Sequence, residues 1–140
     1  MHKPRQLVYT LEIPLRWGDM DAFGHVNNTV YFRYMEQIRV EWLDSLGIPL
    51  LSQGQGCVIV SASCNFVLPI VYPATVIVKL YHGPTGRSSV PEFYEMFVQG
   101  QGETLYAYGQ STLVWVDHHM GKSIPLPAAI CAQVADLATT

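Results

Sequence analysis

The chain has 140 residues, 49% of them hydrophobic and 14% charged, with a formal net charge of -3. This length supports one domain, residues 1–140, with its own core, and the scattered Lys and Arg give no electrostatic footprint for nucleic acid or an anionic membrane. No apolar run approaches the roughly eighteen residues of a membrane span, and the N-terminal MHKPRQLVYTLEI has no apolar signal-peptide core, so a soluble, cytoplasmic protein is expected.

So apolar a composition with so few charges points to self-association. Three cysteines, Cys57, Cys64 and Cys131, form no CxxC spacing and no even framework, which reads as reduced, packed thiols.

From Gln6 to Trp17 the chain alternates, with Leu7, Tyr9, Leu11 and Ile13 in phase, so a strand is predicted there. After a polar, glycine-containing turn, Val30, Tyr31, Tyr34, Met35, Ile38, Trp42, Leu43 and Leu46 recur at spacings of three and four. This predicts a helix over 29–46, stopped by Gly47 and Pro49. Four further strands follow, at 57–68, 75–82, 90–99 and 104–116, separated by Pro73 and by the turns GPTGRSS and QGQGE. No second long helix separates them, which favours an antiparallel sheet curled around the one helix. The tail, Pro125 to Thr140, is short enough to form one small helix or to fray.

The stretch GDMDAFGHVNN, before the helix, concentrates the chemistry. As a calcium loop starting at Asp19 it would put Phe23 and Val30 where ligands are required, and Asp19, Asp21 and His25 have no second histidine at ligand spacing. His118 and His119 lie far along the chain and read as exposed turn residues. The glycines match no phosphate-binding loop. There remains a carboxylate beside a helix start, whose unpaired N–H groups polarise a carbonyl while the carboxylate acts as nucleophile or general base. Capping by Asn27, Asn28 or Thr29, with Asp19 and Asp21 satisfying loop amides or pairing with Arg16, accounts for the same residues. Local spacing leaves both readings open.

Residues 16–39 match R-x-x-D-x-D-x-x-G-H-V-N-N-x-x-Y-x-x-[YF]-x-E-x-x-R, which resembles the N-terminal signature of the 4-hydroxybenzoyl-CoA thioesterase family of the hotdog-fold superfamily. The resemblance implies an α+β fold, a five-stranded curved antiparallel sheet wrapped around one long helix. It also implies a homodimer joined along an edge strand, often paired into a homotetramer, with sites at the dimer interface.

By position, Asp21 takes the catalytic carboxylate role and the Asn28 N–H polarises the thioester carbonyl. His25 and Asn27 line the site, Tyr31 packs or hydrogen-bonds near it, and Asp19 and Arg16 support the loop. Arg87, Ser88 and Ser89 correspond to the coenzyme A nucleotide site, with His82 and Lys79 as lesser candidates; otherwise the turn is an ordinary hairpin with an exposed Arg. Neither metal nor cofactor is implied, coenzyme A being part of the substrate.

The His-Val-Asn-Asn form resembles the broader acyl-CoA thioesterases rather than the aromatic-acyl branch. An acyl-CoA is therefore the expected substrate. The alternatives are an acyl carrier protein thioester, binding of acyl-CoA without turnover, and a hotdog-fold hydratase. Ser61, Ser63, Asn65 and Phe66 lie on a strand whose faces the sequence does not assign.

Overall fold

The computed structural model describes residues 4–49 and 53–137. Its elements are β1 (Gln6–Pro14), a 3-10 turn (Trp17–Asp19), α1 (Asn28–Ser45), β2 (Gln55–Phe66), β3 (Thr75–His82), β4 (Ser89–Val98), β5 (Ala107–Asp117), β6 (Lys122–Ser123) and α2 (Ala128–Ala132). The main sheet is antiparallel throughout, in the order β1-β3-β4-β5-β2, with β1 and β2 at its edges. The expected five strands are all present. The two-residue β6, pairing with β5 through Val116↔Ser123 and Asp117↔Lys122, is an addition that hydrophobic patterning is too short-sighted to see.

β3 and β4 alternate buried and half-buried residues strictly, so their inner face carries Val76, Val78, Leu80, Val90 and Met96. Against it α1 lays Tyr31, Tyr34, Met35, Ile38, Trp42 and Leu43, all buried, the stripe that its three- and four-residue spacing dictates. Each such aliphatic side chain contributes about 1.5–3 kcal/mol on leaving water. Asn27 caps the helix by accepting from the Thr29 N–H at 3.0 Å, and Gly47, at φ +71°, ends it with its N–H on Asp44 O at 2.9 Å. This helix wrapped by a curved antiparallel sheet is the hotdog architecture.

A register shift between Ile59 and Ser61 in β2 settles the faces left open above. Beyond it Ala62, Cys64 and Phe66 pair with the inward-facing Ser111, Gly109 and Ala107, whereas Ser61, Ser63 and Asn65 face outward with Thr112, Gln110 and Tyr108. The tail forms α2, which buries Ile130 and is tied to α1 by Trp42 Nε1 donating to Gln133 Oε1 at 2.8 Å; residues 138–140 of that tail lie outside the described residues. Among the described residues no helix is long and apolar enough to cross a membrane.

Candidate active site

The loop from Arg16 to Asn27 is held against the start of α1 by a short internal ladder. Met20 and Val26 form an antiparallel bridge, the Asp21 N–H donates to His25 O at 3.0 Å, and the Asn27 N–H donates to Asp19 O at 3.0 Å. Asp21 therefore stands opposite His25, and directly opposed residues put their Cβ atoms about 5 Å apart. Gly24, at φ +84°, supplies the tight return and donates its N–H to Asp21 O at 3.0 Å. The Val26 N–H donates to Ile70 O at 2.8 Å, anchoring the loop to the β2–β3 connection.

Asp19 and Asp21 have different environments. Asp19 Oδ2 accepts from the Tyr34 hydroxyl at 2.9 Å and from the Arg16 N–H at 3.1 Å, so this carboxylate ties the loop to the helix. Burial, then that hydrogen bond, pushes the Tyr34 hydroxyl far above its ordinary range, so it stays a donor. Asp21 is half-buried; its Oδ1 accepts from the Phe23 N–H at 2.9 Å, and its Oδ2 accepts nothing from the described residues. One carboxylate is structural and the other has an uncommitted oxygen.

The helix start is equally asymmetric. The Thr29 N–H is satisfied by Asn27 Oδ1 and the Val30 N–H by Asn27 O at 2.9 Å, but the Asn28 N–H meets no acceptor among the described residues. That amide carries the partial positive charge of the helix terminus without a partner. Asn27 Oδ1 is occupied, since it also accepts from Thr29 Oγ1 at 3.1 Å, so only its side-chain NH2 can meet a ligand. His25 is half-exposed, its ring stacked on Phe23 with centroids 6.4 Å apart. Tyr31 is buried and packs edge-on against Phe66, centroids 4.9 Å apart. Cys64 adjoins Tyr31, and burial pushes its thiol up to about 11, which leaves no thiolate nucleophile at neutral pH.

Arg87, Ser88 and Ser89 lie elsewhere. They close the turn between β3 and β4, where Gly86 donates to Ser89 O at 2.8 Å, Trp115 to Ser88 O at 2.8 Å and Leu126 to Arg87 O at 2.9 Å, with Arg87 itself exposed. Within one chain this turn is at the opposite end of the sheet from Asp21, because the end of β1 pairs with the start of β3, Pro14↔Thr75. The eight residues of β3 separate the two ends by roughly 25 Å.

The lesser nucleotide candidates are excluded from the turn. His82 is fully buried against Glu92, and the Lys79 ammonium lies 5.2 Å from the Phe97 ring centroid on the outer face. His118 and His119 are exposed in the turn after β5, and among the described residues no group of three or more metal-ligating side chains comes together.

The structure adds a buried polar network that periodicity did not isolate. Glu92 Oε2 is 2.8 Å from His82 Nε2, and its Oε1 accepts from Tyr94 at 3.1 Å and Ser111 at 3.0 Å. Arg39 Nη1 donates to the Tyr94 hydroxyl at 3.0 Å. A charged residue in the inward phase Val90, Glu92, Tyr94, Met96, Val98 was the available signal.

The hotdog scaffold thus carries a free helix-start amide and an uncommitted carboxylate in one loop. The chain belongs to the Thioesterase-like superfamily, whose family profile matches residues 15–134, and with it to the thioester hydrolases. The PA2801 protein of Pseudomonas aeruginosa, described provisionally as a thioesterase, superimposes with a TM-score of 0.89 at 43% identity, covering 92% of this chain and 99% of its own. A Xanthomonas campestris protein, described provisionally as an acyl-CoA thioesterase, gives a TM-score of 0.73 at 33% identity over 80% and 95% of the two chains. The Arabidopsis thaliana chloroplast acyl-acyl carrier protein thioesterase ATL2 is 31% identical over 79% of this chain, which spans 60% of that protein's length.

Proposed function

We propose that this chain hydrolyses acyl-CoA thioesters to a free acid and coenzyme A. The observation that carries the proposal is the pairing of one unsatisfied helix-start amide, Asn28 N–H, with the open Oδ2 of Asp21. The thioester carbonyl oxygen accepts from the Asn28 N–H, which stabilises the oxyanion as it forms. Asp21 takes a proton from a water that attacks the carbonyl carbon, or attacks that carbon itself to give an acyl–Asp21 anhydride that water then opens at its acyl carbon, freeing the acid and Asp21. The C–S bond breaks, the sulfur leaves as thiolate and takes up a proton, and the oxygen delivered by water ends in the acid. His25, opposite Asp21, and the Asn27 NH2 orient the thioester or the water.

The pantetheine and nucleotide of a coenzyme A bound at Asp21 are met by Arg87, Ser88 and Ser89 of a second copy. β2 is paired on one side only and, with the segment after it, exposes Val60, Phe66, Val67 and Leu68. Two-fold pairing of β2 edges is antiparallel, so it sets the Asp21 end of one chain beside the Arg87 end of the other. Arg87 then supplies charge-assisted contacts to phosphate. The named acyl-CoA and carrier-protein relatives make coenzyme A and acyl carrier protein the two substrate classes to compare; the net charge of -3, with no basic docking patch in sequence, favours coenzyme A.

The test is free-thiol release by the purified protein from short, medium, long, aromatic and dicarboxylic acyl-CoAs, with an acyl carrier protein thioester alongside. Release from at least one acyl-CoA is expected. Release from the carrier protein alone moves the substrate class, and silence across the set overturns hydrolysis in favour of binding without turnover.

A further inference from the structure

The Glu92 network has no counterpart in the chemistry above, yet it is an expensive thing to build. Glu92 and His82 are fully buried among Val90, Leu80 and Leu113, where an apolar pair of similar volume would fold as well or better. His82 Nδ1 has no hydrogen-bond partner and its ring sits edge-on to Trp42, centroids 4.6 Å apart. With Ser111 Oγ 2.8 Å away as well, the Tyr94 hydroxyl is fixed from below and accepts from Arg39 from above. The cluster reaches the half-buried Arg39 guanidinium through one hydrogen bond, at the Tyr94 hydroxyl.

Arg39 lines the cleft between α1 and β2, about 290 Å3, together with Thr29, Phe32, Arg33, Glu36 and Ala62. Glu36, the carboxylate in that cleft, is already paired with Arg33 at 3.0 Å. Among the described residues no carboxylate lies within 4.0 Å of Arg39. One of its five N–H groups is committed to Tyr94, and the others make no hydrogen bond to the described residues.

The cleft begins at Thr29, next to the Asn28 amide. Ten residues further along the helix axis, roughly 15 Å at 1.5 Å per residue, it reaches Arg39. The larger cavity on the other side of α1, about 880 Å3, is lined by the carboxylates of Glu12, Asp19, Glu36 and Glu41 against the guanidiniums of Arg16 and Arg33, so acidic groups outnumber basic ones there.

We propose that Arg39 is a specificity-determining residue that selects acyl groups carrying a carboxylate at the end remote from the thioester. This rests on the reading that the thioester sits at Asn28. An acyl chain starting there follows the α1–β2 cleft, and its terminal carboxylate meets a planar fork already held in one orientation by Tyr94. Tyr94 is a positioning residue in this scheme, and Glu92, Ser111 and His82 act through it.

The experiment is calorimetric titration of the wild-type protein, Arg39→Gln and Arg39→Lys with two non-hydrolysable thioether analogues of medium-chain acyl-CoA, alike in length, one ending in a carboxylate and one in a methyl. Wild type is expected to bind the carboxylate analogue about tenfold or more tightly than the methyl analogue, the worth of one charge-assisted contact. Arg39→Gln erases that ratio, and Arg39→Lys, which keeps the charge without the fork, retains part of it. A wild-type ratio near unity overturns the proposal. So does a ratio unchanged in Arg39→Gln, including the case where that variant shifts only the monomer–dimer balance because a second copy's carboxylate occupies the guanidinium. Because binding is read without turnover, a protein that discriminates the analogues but hydrolyses no acyl-CoA supports the carboxylate site and refutes hydrolysis separately.

Discussion

Replacing Asp21 by Asn lowers turnover by about two to four orders of magnitude, the range expected when a proton acceptor or nucleophile is lost, while secondary structure and oligomeric state stay as in the wild type. Asn keeps the shape of Asp and a side-chain oxygen, so it still accepts from the Phe23 N–H and the turn stays closed. What it loses is the charge on the open oxygen, and with it the ability to attack a thioester or take a proton from water. Asp19→Asn is a different case, because Asp19 holds Tyr34 and the Arg16 amide and its loss loosens the loop. Steady-state thiol release, circular dichroism and size-exclusion chromatography read these together. Undiminished hydrolysis by a folded Asp21→Asn protein removes that carboxylate from the mechanism.

Glu92→Ala destabilises the fold by about 2–5 kcal/mol, the cost of a large-to-small change in the core together with the buried groups it leaves unpaired. The substitution strips the acceptor from His82 Nε2, the Tyr94 hydroxyl and Ser111 Oγ at once, in a place water does not reach, and leaves a void beneath α1. The urea midpoint should fall with the slope of the transition unchanged. Replacing Glu92 and His82 together by leucine should recover most of the loss, since an apolar pair leaves fewer polar groups stranded. A single Glu92→Ala variant within about 1 kcal/mol of wild type would mean that the network bears no such strain.

The contrast between these two positions explains which parts of the molecule were legible beforehand. The helix and the five main strands follow from periodicity, because a buried face must repeat at 3.6 residues in α1 and at two in β3 and β4, and the sequence does both cleanly. The inward phase of β2 was not readable. A one-residue bulge near Val60 reverses every side chain beyond it, and nothing in VIVSASCNF marks the bulge locally.

At the candidate site, the signature singled out one stretch, and hydrogen bonding distinguishes its members. Asn27 spends its oxygen on capping, Asp19 ties the loop to Tyr34, and Asp21 and the Asn28 amide are left uncommitted. That division depends on which donors reach which acceptors in three dimensions, and residue spacing carries no such information. The separation of Asp21 from Arg87 is likewise topological. Both fall in turn-like stretches of sequence, and only the pairing Pro14↔Thr75 places them at opposite ends of the sheet.

That separation makes the division of the site between two chains the claim to test. Arg87→Ala should raise KM for acyl-CoA more than it lowers kcat, and Asp21→Asn should be nearly inactive. The decisive measurement mixes these two variants, unfolds and refolds them together, and reads thiol release at substrate concentrations well below the Arg87→Ala KM. With Asp21 of one chain working beside Arg87 of the other, each mixed dimer regains one intact site, and random pairing restores about a quarter of wild-type activity. If both residues of a site come from the same chain, the mixture shows only the average of the two separate variants, and the shared site is contradicted.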